Sequence, residues 1–137
     1  MFKYIMRTAP EYITELKQNE IFVFGSNKKG AHGLGAAKRA VKFGAIYGQG
    51  EGLMGQTYAI PTKDENIKTL NIKEIYKHIT NFIKVVEDHP ELTFLVTPVG
   101  TGLAGYSPTV MGSMFERLLK YDNVYLPKLF TDQYFDE

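Results

Sequence analysis

Two stretches limit what this chain can fold into. "IFVFG", Ile21 to Gly25, and "LTFLVTPV", Leu92 to Val99, are near-continuous apolar runs of strand length. A strand with one wet face alternates apolar and polar residues, whereas an unbroken run implies cover on both faces. Each run also leads directly into a glycine-rich turn and then a helix-like segment. A sheet sandwiched between helices is the arrangement that satisfies both features.

The remaining elements fit that frame. Ile72, Ile75, Ile79, Phe82, Ile83 and Val86 recur at helical spacing, which predicts a helix from Asn71 to Asp88. Pro108 to Tyr121 reads as another, with Ser107 as N-cap, Pro108 at the first position, and Val110, Met114, Phe115 and Leu118 on its apolar face. A third follows the first glycine-rich turn, with Leu34, Ala37 and Val41 on one face. "TAPEYITELKQNE" predicts a short N-terminal helix, since Thr8 and Glu11 stand at capping-box spacing and Ile13 and Leu16 face one way. "FKYIM" reads as an edge strand, "TYAIPT" as a strand that Pro61 ends or places at an edge, and "NVYLP" as a final short strand. "IYGQGEGLMGQ" is too rich in glycine for a regular element. Strands therefore alternate with helices, which predicts an α/β fold with a largely parallel sheet.

The 137 residues favour a single domain spanning 1–137. Sixteen Lys and Arg balance 15 Asp and Glu, so no broad positive field attracts a nucleic-acid backbone. Cysteine is absent, which excludes disulfides, thiolate metal sites and a cysteine nucleophile, and a reducing cytoplasm fits. No stretch approaches the roughly 20 apolar residues of a membrane span, and the first ten residues do not form a signal peptide. Neither a metal nor a cofactor is expected.

Glycine is distributed unevenly. Nine of the 13 fall between Gly25 and Gly55 and four between Gly100 and Gly112. Clustering of this kind points to loops where something approaches the backbone closely. The first window, "GSNKKGAHGLGAAK", has GxxxxG spacing between Gly25 and Gly30, but Ala31 and His32 follow where a P-loop needs Lys and Ser/Thr. A dinucleotide fingerprint fails too, because Lys38 takes the third glycine position. What survives is a strand, a glycine turn and a helix start, whose free amides and dipole favour an anion. Lys38 and Arg39 either add charge there or form a solvated face. Asn27 either hydrogen-bonds a ribose or carbonyl, or makes an Asx-turn. His32 is either an acid/base or phosphate contact, or a loop residue without chemistry. In the second window, Gly100, Gly102 and Gly105 can take positive φ and aim successive amides at one anion, and Tyr106 offers a flat face to a sugar or base, or staples the helix start.

The run Gly100, Thr101, Gly102, Leu103, Ala104, Gly105, Tyr106, with Pro108 following Ser107, resembles the diphosphate-and-ribose loop of macro domains. Asn27 and Gly33-Leu34-Gly35-Ala36-Ala37 are similar to the other macro-domain signature, an Asn at a strand end before a glycine-rich helix start. From Ile21 onward the chain is also similar to phage non-structural proteins of macro-like fold. The resemblance implies a three-layer α/β/α fold with a mixed, mostly parallel sheet and a ligand of the ADP-ribose or NAD type. It implies ligand contacts from Gly25, Ser26, Asn27, His32, Gly33, Leu34, Gly35 and Ala36 on one side and Gly100 to Tyr106 on the other. Two departures stand out. One hydrolytic class carries an aspartate in the first loop, and here no acid lies between Gly25 and Ala45. Another pairs a first-loop lysine, a part open to Lys28 or Lys29, with an aspartate beyond the second loop, and here the first carboxylate after Tyr106 is Glu116. Asn27, His32, Glu51 and Asp64 remain the candidates for chemistry, the two carboxylates as bases toward water at an anomeric carbon.

Three functions stand open on this reading. The first is a binding module for ADP-ribose or a related NAD-derived nucleotide, which in a phage would sequester a nucleotide signal in the host cytoplasm. The second is a hydrolase of ADP-ribosyl groups or a phosphatase of an ADP-ribose phosphate. The third is an adaptor that retains only the fold.

Overall fold

The structure, a computed structural model, describes residues 6–135. Six strands, β1 (Thr8–Ala9), β2 (Glu20–Asn27), β3 (Gly52–Met54), β4 (Thr57–Lys63), β5 (Thr93–Val96) and β6 (Val124–Pro127), form one sheet in the order β1-β6-β5-β2-β4-β3. All neighbours are parallel except β3, which runs antiparallel to β4. Helices α1 (Gly35–Val41), α2 (Ile72–Asp88), α3 (Pro108–Phe115) and α4 (Lys128–Thr131) complete the fold. The sheet is thus mixed and mostly parallel, in an α/β chain of the three-layer kind.

The apolar runs are buried on both faces, as parallel strands under crossover helices must be. Side chains of a strand alternate between faces. Ile21, Val23, Tyr58, Ile60, Phe94 and Val96 point to one side, where Ile75, Ile79 and Phe82 of α2 and Met111 and Phe115 of α3 meet them. Phe22, Phe24, Ala59 and Leu95 point to the other, under Ala37 and Ala40 of α1. Alanine on α1 permits a close approach to the sheet. On the α2 face Phe82 is the hub: its ring centroid lies 4.8 Å from that of Tyr58 and 5.4 Å from that of Phe94. Helix α2 begins at Asn71, whose side chain accepts the Glu74 amide, and α3 begins at Ser107, which accepts the Val110 amide, with Pro108 in the first turn.

Several local expectations are refined or corrected. Thr8 pairs with Leu126 and Ala9 with Pro127 in β1, so Thr8 cannot cap a helix, and residues 10–19 contain none. Instead Ile13 packs into the α1 face, and the Gln56 side-chain amide donates to the carbonyls of Lys17 and Glu20. Tertiary burial of one side chain and these bonds outweigh a weak helical preference. The glycine-rich "IYGQGEGLMGQ" does contain a regular element, β3. Strand β4 continues past Pro61 to Lys63, and Pro61 lies beyond the reach of β3, whose last partner is Ala59, so its missing N–H costs no ladder bond there. Helix α3 stops at Phe115 and tightens into a 3₁₀ turn, Glu116–Leu118, and it buries Met111 rather than Val110. Leu34 and Val41 are exposed, leaving Ala37 and Ala40 as the buried face of α1. The edge strand read in "FKYIM" falls outside the described residues but for Met6. Among the described residues no helix is long and apolar enough to cross a membrane.

Because Phe82 is fully buried between the Tyr58 and Phe94 rings, Phe82→Ala is expected to lower unfolding free energy by about 3–5 kcal/mol. Urea denaturation followed by far-UV circular dichroism checks this.

Candidate functional site

Strand β2 is the turning point of the chain's path across the sheet. From β2 the chain crosses by α1 to β4 on one side, then returns by α2 to β5 on the other. Loops leaving the carboxyl ends of β2 and β5 therefore diverge and leave a crevice, the usual ligand position in open parallel sheets. Here it is a cleft of about 630 Å³, a size suited to a small organic ligand.

Most of the residues singled out in the two glycine windows meet in this cleft. Gly25, Ser26, Asn27, Gly33, Leu34, Gly35 and Ala36 line one part of it, and Gly100, Thr101, Gly102, Leu103 and Ala104 another. The amides of Gly102, Leu103 and Ala104 meet no acceptor from the described residues, whereas Thr101 N donates to Pro98 O at 3.2 Å. A Cβ placed on Gly102 would find nothing within 4 Å, so this turn opens into space. Gly102 itself does not take positive φ; Gly100 and Gly105 do, at 81° and 86°. At the start of α1, Leu34 supplies no capping side chain. With seven residues α1 is too short a column of peptide dipoles to act as an anion site by itself.

Charge comes from Arg39, one of the two basic residues weighed for the first window, and from Lys63, which the sequence did not mark out. Arg39 and Lys63 line the cleft, and its lining contains no Asp or Glu. Arg39 lies with its guanidinium 5.5 Å from the centre of the Phe22 ring. Lys63 reaches its place through an irregularity in the β2–β4 ladder: Ser26 pairs with Pro61 but Asn27 pairs with Lys63, so Thr62 is an extra residue. Such bulges re-aim side chains at strand ends. Lys63 stood at a strand's carboxyl end, which was the available signal; Arg39 read equally well as a solvated lysine-and-arginine face.

Several of the expected site residues lie elsewhere in this geometry. His32 is fully buried and absent from the cleft lining. Its Nε2 lies 2.9 Å from Ile46 O and 3.0 Å from Gln49 O, both acceptors, so this nitrogen carries the proton and ties the glycine-rich middle loop to the first one. His32 is a structural staple through Nε2, while its Nδ1 is buried without a hydrogen-bond partner. Tyr106 and Gly105 also lie outside the lining. The Tyr106 hydroxyl donates to Leu70 O at 2.6 Å and its ring packs on the α2-face core, which is the stapling role. Asn27 lines the cleft, but its side chain is spent on Ala31: Oδ1 accepts Ala31 N at 2.9 Å and Nδ2 donates to Ala31 O at 2.9 Å.

Neither candidate carboxylate reaches the cleft. Glu51 sits across the sheet end, where Oε2 is 2.8 Å from His78 Nδ1 and accepts Asn81 Nδ2 at 3.2 Å. Asp64 closes a turn: Oδ1 accepts the amides of Asn66 at 2.8 Å and Lys68 at 2.9 Å. That turn carries Ile67 into the cleft, and Thr69 Oγ1 donates to Ala104 O at 3.0 Å, joining it to the second glycine loop. An isoleucine within the polar stretch "TKDENIKT" was the sign that this turn has an inward-facing member.

No family model, curated protein or solved structure matches this chain. The likeness to macro domains rests on the quoted residues alone.

The Lys68 amide bond, then that of Asn66, holds the Asp64 carboxyl below its ordinary pKa. A depressed folded-state pKa means that the turn is stabilised above the ordinary aspartate range, and that this stabilisation fades as pH falls through the lowered value. NMR titration of the Asp64 carboxyl should give a midpoint below that of an unperturbed aspartate. In Asp64→Ala the Lys68 amide should exchange faster at pH 7, with the difference from wild type vanishing in acid.

Proposed function

We propose that this protein binds ADP-ribose or a related NAD-derived nucleotide in the cleft at the ends of β2, β4 and β5. The observation that carries this reading is the makeup of the wall: three unpartnered main-chain amides from Gly102 to Ala104, two cationic side chains, Arg39 and Lys63, and no carboxylate. Amides in a turn and fixed positive charge together suit a diphosphate, and each N–H to a charged oxygen is a stronger bond than one to a neutral acceptor. The position at a topological switch point supports a nucleotide-sized ligand on general grounds. The macro-domain likeness of both loops adds the expectation of ribose on either side of the diphosphate.

Holding rather than cleaving is the reading favoured among the alternatives. A hydrolytic step needs a group within reach of water at the anomeric carbon. His32, Glu51 and Asp64 are each committed elsewhere, and the Asn27 amide is bonded to Ala31. A protein of this kind would act by sequestering its nucleotide.

Calorimetric titration with ADP-ribose, NAD and cyclic ADP-ribose, with chromatography of each mixture, tests the reading. Saturable heat with the nucleotide recovered intact is the expected result; a new product peak would favour a hydrolase, and no heat with any of the three would favour an adaptor. Gly102→Val should weaken binding by at least tenfold, about 1.4 kcal/mol, by filling the space before the free amides. Its stability should stay within about 0.5 kcal/mol of wild type, since the added side chain meets open space at a φ that valine accepts.

A further inference from the structure

Ile67 stands in the left-handed region, with φ of 63°, the single non-glycine residue with positive φ among the described residues. A β-branched side chain is a poor choice there, because its Cβ crowds the following carbonyl; glycine and asparagine take such positions far more readily. The surrounding turn explains how the conformation is held. Asp64 N donates to Lys68 O at 2.7 Å, Ile67 N donates to Asp64 O at 3.1 Å, and the Asp64 carboxylate takes two further amides. None of these bonds uses the isoleucine side chain. Core packing does not explain it either: Ile67 belongs to neither core cluster and is 42% exposed.

What the side chain does is line the cleft. Leu34 and Leu103 line it as well, each 68% exposed. Three large aliphatic groups, from three different loops, are therefore left wet around a site whose inner wall offers amides and cations. Backbone strain persists where surrounding structure enforces it, and it clusters at ligand sites. Exposed aliphatic groups gain by removing a ligand's apolar surface from water.

We propose that Ile67 is a specificity-determining residue. With Leu34 and Leu103 it forms an apolar mouth that takes a flat, uncharged ring carried on the phosphate-bearing ligand. The site thus selects a nucleotide over a bare sugar phosphate or diphosphate. This rests on the reading of the cleft as a nucleotide site.

The test compares wild type with Ile67→Gly and Ile67→Asn, both of which accept the left-handed conformation. ADP-ribose binding is measured by calorimetry, pyrophosphate binding by NMR shift titration, and stability by thermal unfolding. Both variants should keep or raise the unfolding temperature, bind ADP-ribose at least tenfold more weakly, and bind pyrophosphate within twofold of wild type. Unchanged ADP-ribose affinity in the variants overturns the proposal, as does an equal loss for both ligands. So does a fall in unfolding temperature of several degrees, which would mean that the side chain is kept for packing. Wild type that binds neither compound overturns the nucleotide reading and this proposal together; wild type that binds ADP-ribose with variants that match it overturns this proposal alone.

Discussion

The structure depends on a seam where backbone lies directly on backbone. A Cβ on Gly50 would overlap the Asn27 carbonyl, and one on Gly30 would overlap the Gly48–Gln49 peptide. Gly44 and Gly55 meet in the same manner, with a Cβ on either falling 2.9 Å from the other's Cα. A side chain at Gly30 or Gly50 would push the middle loop off the first, and one at Gly44 or Gly55 would part the segment after α1 from the β3–β4 turn. His32 then closes the seam from within, its one N–H shared between two carbonyls of the middle loop, and Ser26 Oγ donates to the Gly50 carbonyl. Four of the nine glycines between Gly25 and Gly55 thus serve packing. The first cleft-lining loop is thus pinned from behind.

On the opposite wall, rigidity comes from side chains. Tyr106 reaches Leu70 O and Thr69 reaches Ala104 O, so the β4–α2 and β5–α3 loops are braced against each other. A loop that presents amides to a ligand loses less entropy on binding when it is already ordered. The free amides of Gly102 to Ala104 lead up to the first of these anchors, the Ala104 carbonyl, to which the turn carrying Ile67 is joined through Thr69.

The sheet topology explains why the cleft lies where it does. Both faces of β2, β4 and β5 are closed by helices and by the N-terminal segment that brings Ile13 over Phe22 and Phe24. Only the strand ends remain open. At the carboxyl ends the chain leaves β2 for one side and returns to the other, so its loops part instead of packing together. Arg39 and Lys63 are the charged residues of its lining, so the opening is positive.

Local chemistry in the sequence determined the elements whose causes are local. Unbroken apolar runs marked β2 and β5 as doubly covered, the 3.6-residue period and Asn71 marked α2, and Ser107 with Pro108 marked the start of α3. The two glycine windows identified the loops that border the cleft, because glycine clustering records close approach wherever it occurs. It does not record what approaches. Only the tertiary structure separated glycines that admit another stretch of backbone, such as Gly50, from those that face open space, such as Gly102. It alone withdrew His32, Glu51 and Tyr106 from the cleft, since each found a partner far away in sequence: Ile46 and Gln49, His78, and Leu70. The N-terminal segment was misread for the same reason. Its helical spacing was real but weak, and a sheet partner more than a hundred residues away, Leu126 for Thr8, decided its conformation.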